Sequence, residues 1–240
     1  SDIVSIQYVS PTGISVLCQG NQQSCKAVNA NVKINSNSIG LTKYDVVVIS
    51  DCVNADLFRI TNMQKDTDDK TTLAHSNSTN TSNNLSKAYD EDAQVMTYRS
   101  FSYYVRDTGR DNSQGQAIYA LYQFNPLWND GTSAPGKESE LVEGVEQLQV
   151  LYGQRRDDGN LRFVQATDNN LNFAQVEALR LSVLVSHSEQ VLSEDDSKTY
   201  KMPGTDVEPD GATTPDAEHP GDRRLRQQFT TTIYLRNRAT

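Results

Sequence analysis

The feature that most constrains this chain is the brevity of its apolar blocks. They are short, rich in β-branched and aromatic residues, and separated by long polar stretches. Blocks of that kind specify strands, and they leave little room for a convincing core helix. Ile3, Ile6 and Tyr8 lie in a β-rich run that the turn signal Ser10-Pro11-Thr12-Gly13 should close, with Ile14 to Leu17 as hairpin partner. Residues 44–50 form a continuous apolar run, the pattern of a strand covered on both faces. Residues 56–61 alternate, so that strand should be half-buried. Strand pattern returns at 95–105, with 117–123 as its partner across a polar turn around Asp107 to Gly115. Glu140 to Tyr152 reads as a helical turn entering a strand, and Leu161 to Val164 as a small strand. A helical turn is expected at 170–175, followed by an alternating strand over 176–185 with a slip at Ala178-Leu179. Phe229 to Leu235 closes the chain as a strand.

The fold class is therefore mainly β, with one or two antiparallel sheets and long loops. Residues 64–92, rich in Ser, Thr and Asn after Asp66, Asp68 and Asp69, read as one extended polar surface loop. Residues 189–224, acidic and rich in Pro and Gly, read as a second. No internal repeat is visible, and residues 1–240 are expected to form a single domain, one sheet or two small sheets sharing a core.

Charge narrows the function. There are 31 acidic against 22 basic residues and a net charge of −9. Phosphate contacts need clustered Lys and Arg, so direct nucleic-acid binding is disfavoured, as is adhesion to anionic lipid. No apolar run approaches the roughly 20 residues of a membrane span. The chain opens on Ser1-Asp2 without Met, which suggests a fragment. Cys18, Cys25 and Cys52 are three, so at most one intramolecular bridge can form among them. One bridge with a leftover thiol suits an oxidising compartment, and three reduced thiols are the alternative; the spacing leaves the pairing open.

Chemistry is hard to find. No G-x-S-x-G elbow, P-loop or dinucleotide fingerprint occurs. No Cys/His cluster has zinc spacing. His75, His187 and His219 are far apart and lie in or beside polar loops. The acidic loops at 66–69 and 206–211 lack EF-hand spacing, which leaves calcium as an open minor option. No cofactor and no catalytic residue is expected.

Four segments, in order, resemble the PilW family of type IV pilus minor pilins. They are DVVVISDC with ADLF (45–52 and 55–58), LVEGVEQLQVLYG (141–153), VEALRLSVLVS (176–186), and DRRLR with FTTTIYLRNR (222–226 and 229–238). The second and fourth are the most specific, and the related J-type pseudopilins of type II secretion share them. The resemblance implies a pilin head on an N-terminal helix that is absent here, making the whole α+β. It implies inner-membrane anchoring with a periplasmic head, cleavage and methylation there, and later residence at the pilus tip on the cell surface. Partners would be other minor pilins, the major pilin and the inner-membrane assembly machinery. The processes served would be twitching motility, attachment and DNA uptake. The membrane would be engaged only through the missing helix. The competing class is a secreted β-rich glycan-binding or hydrolytic domain, which needs a cleft of converging aromatics and carboxylates.

On that reading, candidate partner contacts are Glu140, Glu143, Arg223, Arg224, Arg226 and Trp128. Glu140 and Glu143, with Glu146, surround Gly144 and form either a solvated face or a patch for a basic partner. Arg223, Arg224 and Arg226, with Arg236 and Arg238, form the one basic concentration in the chain. They either pair internally with Glu140, Glu143, Asp51 or Asp56, or face a partner. Trp128 is a half-buried loop anchor or a tip contact.

Overall fold

Strand pairing fills most of the molecule. The computed structural model describes residues 1–17, 31–65, 69–131, 136–211 and 217–235. The protein is mainly β. The chain divides into two compact units: an N-terminal unit of Ser5–Phe101 and Phe124–Lys137, and a C-terminal unit of Ser1–Val4, Ser102–Gln123 and Glu138–Thr240. No helix among the described residues is long and apolar enough to cross a membrane.

The N-terminal unit is built from β1 (Val4–Ser15), β2 (Asn31–Ile34), β3 (Val46–Ser50), β4 (Ala55–Arg59), β5 (Asn62–Lys65), β6 (Thr71–Ala74) and the first part of β7 (Gln94–Asp111). One sheet runs β4-β3-β7, with β1 also on β7; a second runs β2-β6-β5. Val47 and Ile49 from β3, Val32 and Ile34 from β2, and Leu73 from β6 are all 0 % exposed. Together with Phe58, Ile60, Tyr89 and Val95 they form one hydrocarbon core.

Two sequence readings are corrected here. Ser10-Pro11-Thr12-Gly13 does not turn; β1 runs through it as a single strand. Gly13 is there for closeness, since a Cβ would sit 2.8 Å from both Gln94 Oε1 and Met96 Cγ on β7. The polar stretch 64–92 is not one loop. It carries β6, whose Thr71 and Leu73 are buried, and it seals the core with Leu85 and Tyr89. Polarity misled because its side chains satisfy the backbone of a strand: Asn80 accepts from Arg59 N–H of β4 at 2.7 Å and donates to Arg59 O at 3.0 Å.

The C-terminal unit holds the rest of β7, β8 (Ala117–Asn125), β9 (Lys137–Glu143), β10 (Val145–Arg155), β11 (Leu161–Val164), a 3-10 turn at Phe173–Gln175, β12 (Val176–Gln190), β13 (Tyr200–Met202), β14 (Thr205–Pro209), β15 (Ala217–His219) and β16 (Arg224–Tyr234). Its central sheet has the order β11-β10-β12-β16, antiparallel throughout. Leu148 and Val150 of β10 pack with Leu179, Leu181 and Val183 of β12. The expected helical turn before β10 is absent: β9 is a strand, and Gly144 at φ 83° separates it from β10. The stretch 189–224 is likewise no plain loop, for β13, β14 and β15 form a small sheet within it. Met202 and Val207 anchor that sheet on Leu184 of β12.

Candidate functional site

The densest chemistry in the C-terminal unit is a buried ionic clamp where β10 and β16 begin. Alternation along Asp222, Arg224 and Arg226 puts all three on one face, with Arg223 and Leu225 on the other. The first three are buried and the other two exposed. A bulge delivers the opposing carboxylate. Val145 pairs with Val185 and Gln147 with Leu184, so Glu146 is the inserted residue, and both Val145 and Glu146 turn inward. Gly144 makes that turn possible, because a Cβ there would lie 2.3 Å from Ser186 O. Gly144 O accepts from Ser186 N–H at 2.7 Å, which fixes β10 against β12.

Arg226 donates from Nε to Glu146 Oε2 at 2.7 Å and from Nη2 to Glu146 Oε1 at 3.2 Å and Asp222 Oδ1 at 2.8 Å. Its Nη1 lies 3.4 Å from Asp196 Oδ2. Arg224 donates from Nε to Asp222 Oδ2 at 2.7 Å and from Nη1 to Ala117 O at 3.1 Å. Tyr200 caps the group, its hydroxyl donating to Asp196 Oδ2 at 2.8 Å. His219 stacks edge-on against Tyr200, with ring centroids 5.4 Å apart.

Burial and pairing oppose each other at Asp222 and Arg226. Burial pushes the Asp222 carboxyl up, but hydrogen bonds from Arg226 and from the Arg224 backbone, with both guanidinium charges, outweigh it and hold the carboxyl below its ordinary value. Burial likewise works against the charge on Arg226, and the hydrogen bond to Glu146 prevails, raising its pKa. Burial and the bond to Asp196 both raise the Tyr200 hydroxyl, so it remains a donor. Two guanidiniums face three carboxylates, and each guanidinium is committed to carboxylates of the same chain. Such a cluster locks geometry.

This corrects the reading of Arg224 and Arg226 as partner-facing: they are 1 % and 4 % exposed. Their pairing is internal, but with Glu146, Asp222 and Asp196 in place of Glu140, Glu143, Asp51 or Asp56. Glu140 and Glu143 have another partner, Arg110, which meets Glu140 at 2.6 and 2.8 Å and Glu143 at 2.9 Å on an exposed face. Arg223 is exposed, its Nε donating to Gln190 Oε1 at 2.9 Å. In the N-terminal unit, Asp51 pairs with Lys87, and Asp56 accepts from Ser86 and from Tyr89 at 2.8 Å. The Lys87 bond, with backbone N–H groups of Asn54 and Val53, pulls the Asp51 carboxyl down to about 2. Trp128 is half-buried in its loop, with Lys137 Nζ 5.7 Å from its ring.

Cys52 is an exposed free thiol; Cys18 and Cys25 lie outside the described residues, as do Asp66 and Asp68. Arg236 and Arg238 lie outside them too. Among the described residues no group of three His, Cys, Asp or Glu side chains is arranged for a metal ion. The structure does not bring the histidines together: His75 stacks on Phe58 in the N-terminal unit and His187 is exposed. The signal that could have found the clamp is the period-two burial of Asp222, Arg224 and Arg226. No local pattern names Glu146 or Asp196 as their partners.

The model of the PilW family, type IV pilus-assembly protein W, matches residues 102–237, more than half of the chain. The chain belongs to the PilW family. Every clamp residue lies inside the match. The match begins at Ser102, the residue at which the chain leaves the N-terminal unit along β7. The clamp is thus a feature of the PilW-matched part, whereas β1 to β6 lie outside it. No curated protein and no solved structure matches the chain.

Proposed function

We propose that this chain is the head of a structural minor pilin that helps prime type IV pilus assembly and then sits at the pilus tip. Residues 1–240 form the head, anchored before assembly in the inner membrane through an N-terminal helix and facing the periplasm. Its partners are other minor pilins, the major pilin and the inner-membrane assembly machinery, and the pilus serves twitching motility, attachment or DNA uptake. The observation that carries this is the PilW match over residues 102–237.

A non-catalytic role fits the site. The buried ionisable groups of the clamp are committed to one another, which stiffens a subunit and offers no group for turnover. The surface left for neighbours includes Arg223 and the Arg110–Glu140–Glu143 cluster, with Trp128 half-exposed. Charge pairs at such a rim set orientation and partner choice more than affinity.

The test is deletion of the gene in its own bacterium, with surface pili counted by electron microscopy and an affinity-tagged full-length protein used to co-isolate other minor pilins. Loss of pili, restored by the wild-type gene, is expected. Unchanged pili would reject the reading, and loss of protein secretion in place of pili would move the chain to the J-type pseudopilins.

A further inference from the structure

Terminal strands of sheets invite pairing by other chains, and proteins guard them with charge, proline or brevity. Among the described residues most terminal strands are guarded in this way. β11 has four residues and includes Arg162; β4 has five and includes Asp56 and Arg59; β9 carries Lys137, Glu138, Glu140 and Glu143. β2, β5, β13 and β15 have four residues or fewer. β16 is different. It has 11 residues, and from Gln227 to Leu235 there is no charge and no proline.

The direction of its backbone groups follows from the register. Leu235 N–H donates to Glu177 O at 2.8 Å. Pairing with β12 then runs without a slip from Tyr234 opposite Ala178 to Arg226 opposite Ser186. Backbone groups alternate sides along a strand. Odd-numbered residues therefore bond β12, and Gln228, Thr230, Thr232 and Tyr234 turn theirs outward. Arg226 O has the same parity, and the Tyr200 hydroxyl oxygen lies 3.5 Å from it, beyond the edge. Gln228 marks the limit of that cover, with its side chain donating to Lys201 O at 3.1 Å. From there on β16 is the outermost strand of its sheet among the described residues. On one face Phe229 and Ile233 stand 52 % and 46 % exposed.

We propose that the outer edge of β16 pairs, antiparallel about a two-fold axis at Thr231, with β16 of a second copy of this chain. The strand is self-complementary in that register. Thr230 meets Thr232 of the other copy and Gln228 meets Tyr234, so all four outward residues find ladder partners. Phe229 falls opposite Ile233 of the other copy on the exposed apolar face. Between Gln228 and Tyr234 the contact brings no charges together, although each copy carries a net charge of −9. One strand pair buries little area, so association is weak and strengthens as salt screens that net charge. The inference is independent of the pilus reading.

Sedimentation velocity of the whole 240-residue chain, over a concentration series into the millimolar range and at low and high salt, tests it. Reversible dimerisation that strengthens with salt is expected. Thr231→Lys, which sets two ammonium groups face to face at the axis, should weaken it on the order of tenfold or more. Thr232→Pro removes an N–H that β12 does not use and should abolish pairing while leaving the melting temperature nearly unchanged. If Thr231→Lys fails to fold, Thr232→Pro decides. A chain that stays monomeric throughout overturns the proposal and leaves the edge to a strand of some other subunit. Dimerisation undiminished in the folded variants overturns it equally.

Discussion

The two compact units solve the same problem with different materials. The N-terminal unit closes on hydrocarbon: Val32, Ile34, Val47, Ile49, Ile60 and Leu73 are all 0 % exposed. The C-terminal unit, which carries the PilW match, builds much of its interior from charge, with Arg224, Arg226, Glu146, Asp196 and Asp222 buried together. Hydrocarbon packing is non-directional and tolerates swaps of similar volume. A buried ion network is directional, and it fails when any one partner is lost. The difference predicts that the C-terminal unit is fixed in geometry and intolerant of substitution, and that the N-terminal unit is more plastic in sequence. The only tryptophan, Trp128, lies in the N-terminal unit, so its fluorescence reports that unit while circular dichroism reports both.

The largest effect should come from Arg226→Met. It removes the cation that Glu146, Asp222 and Asp196 share and leaves Glu146 and Asp222 with Arg224 alone, at a cost of about 3–5 kcal/mol. Urea unfolding followed by circular dichroism should shift strongly, and the Trp128 signal should shift less. Coincident shifts in both signals would mean that the two units unfold as one. Leu73→Ala is the reciprocal experiment, expected to cost about 2–5 kcal/mol and to move the Trp128 transition first. Gly144→Ala comes next. A Cβ 2.3 Å from Ser186 O on a backbone at φ 83° should cost about 2–3 kcal/mol and displace Glu146 from the clamp. Gly159→Ala, which meets nothing within 4 Å, bears only the cost of its positive φ and should be milder.

Acid sharpens the comparison at smaller scale. Asp222 and Asp51 both have lowered carboxyl pKa values when folded. Each therefore contributes stability that is complete above the unfolded value of about 3.9 and is lost as pH falls through the folded value. For Asp51 that loss runs from about pH 4 down to about 2. Asp51→Asn should flatten the acid limb of the Trp128 transition only slightly, since Lys87 is partly exposed. A steep acid loss in the circular dichroism signal that survives Asp51→Asn would belong to the C-terminal unit, where Asp222, Glu140, Glu177 and Asp158 all have lowered carboxyl pKa values.

Much of the strand inventory could be read from local pattern. Val95 to Val105, Ala117 to Gln123 and Val176 to Val185 fall within strands where the pattern places them, and the run 44–50 does so from Val46 onward, Tyr44 standing outside the strand at φ 76°. The 3-10 turn at Phe173–Gln175 was legible as well, with Asn172 capping it. The reading broke down where one residue type serves two ends. Gly13 suggested a turn and instead permits close approach to β7. The serines, threonines and asparagines of 64–92 suggested a loop, yet they hydrogen-bond strands and cover the core. Among the interface candidates, Arg224 and Arg226 share the exposed Arg223's composition and differ from it only in the parity of β16.

The sequence alone determined the β class, the acidic surface and the membership of the PilW family, because alternation, net charge and family motifs are properties of neighbouring residues. Tertiary structure alone decided which arginines are solvated and which are sealed in. That choice depends on a one-residue bulge at Glu146, 80 positions before Arg226, and on the small sheet that brings Asp196 and Tyr200 over the same spot. Pairing across such separations is set by register and packing, which no local pattern encodes.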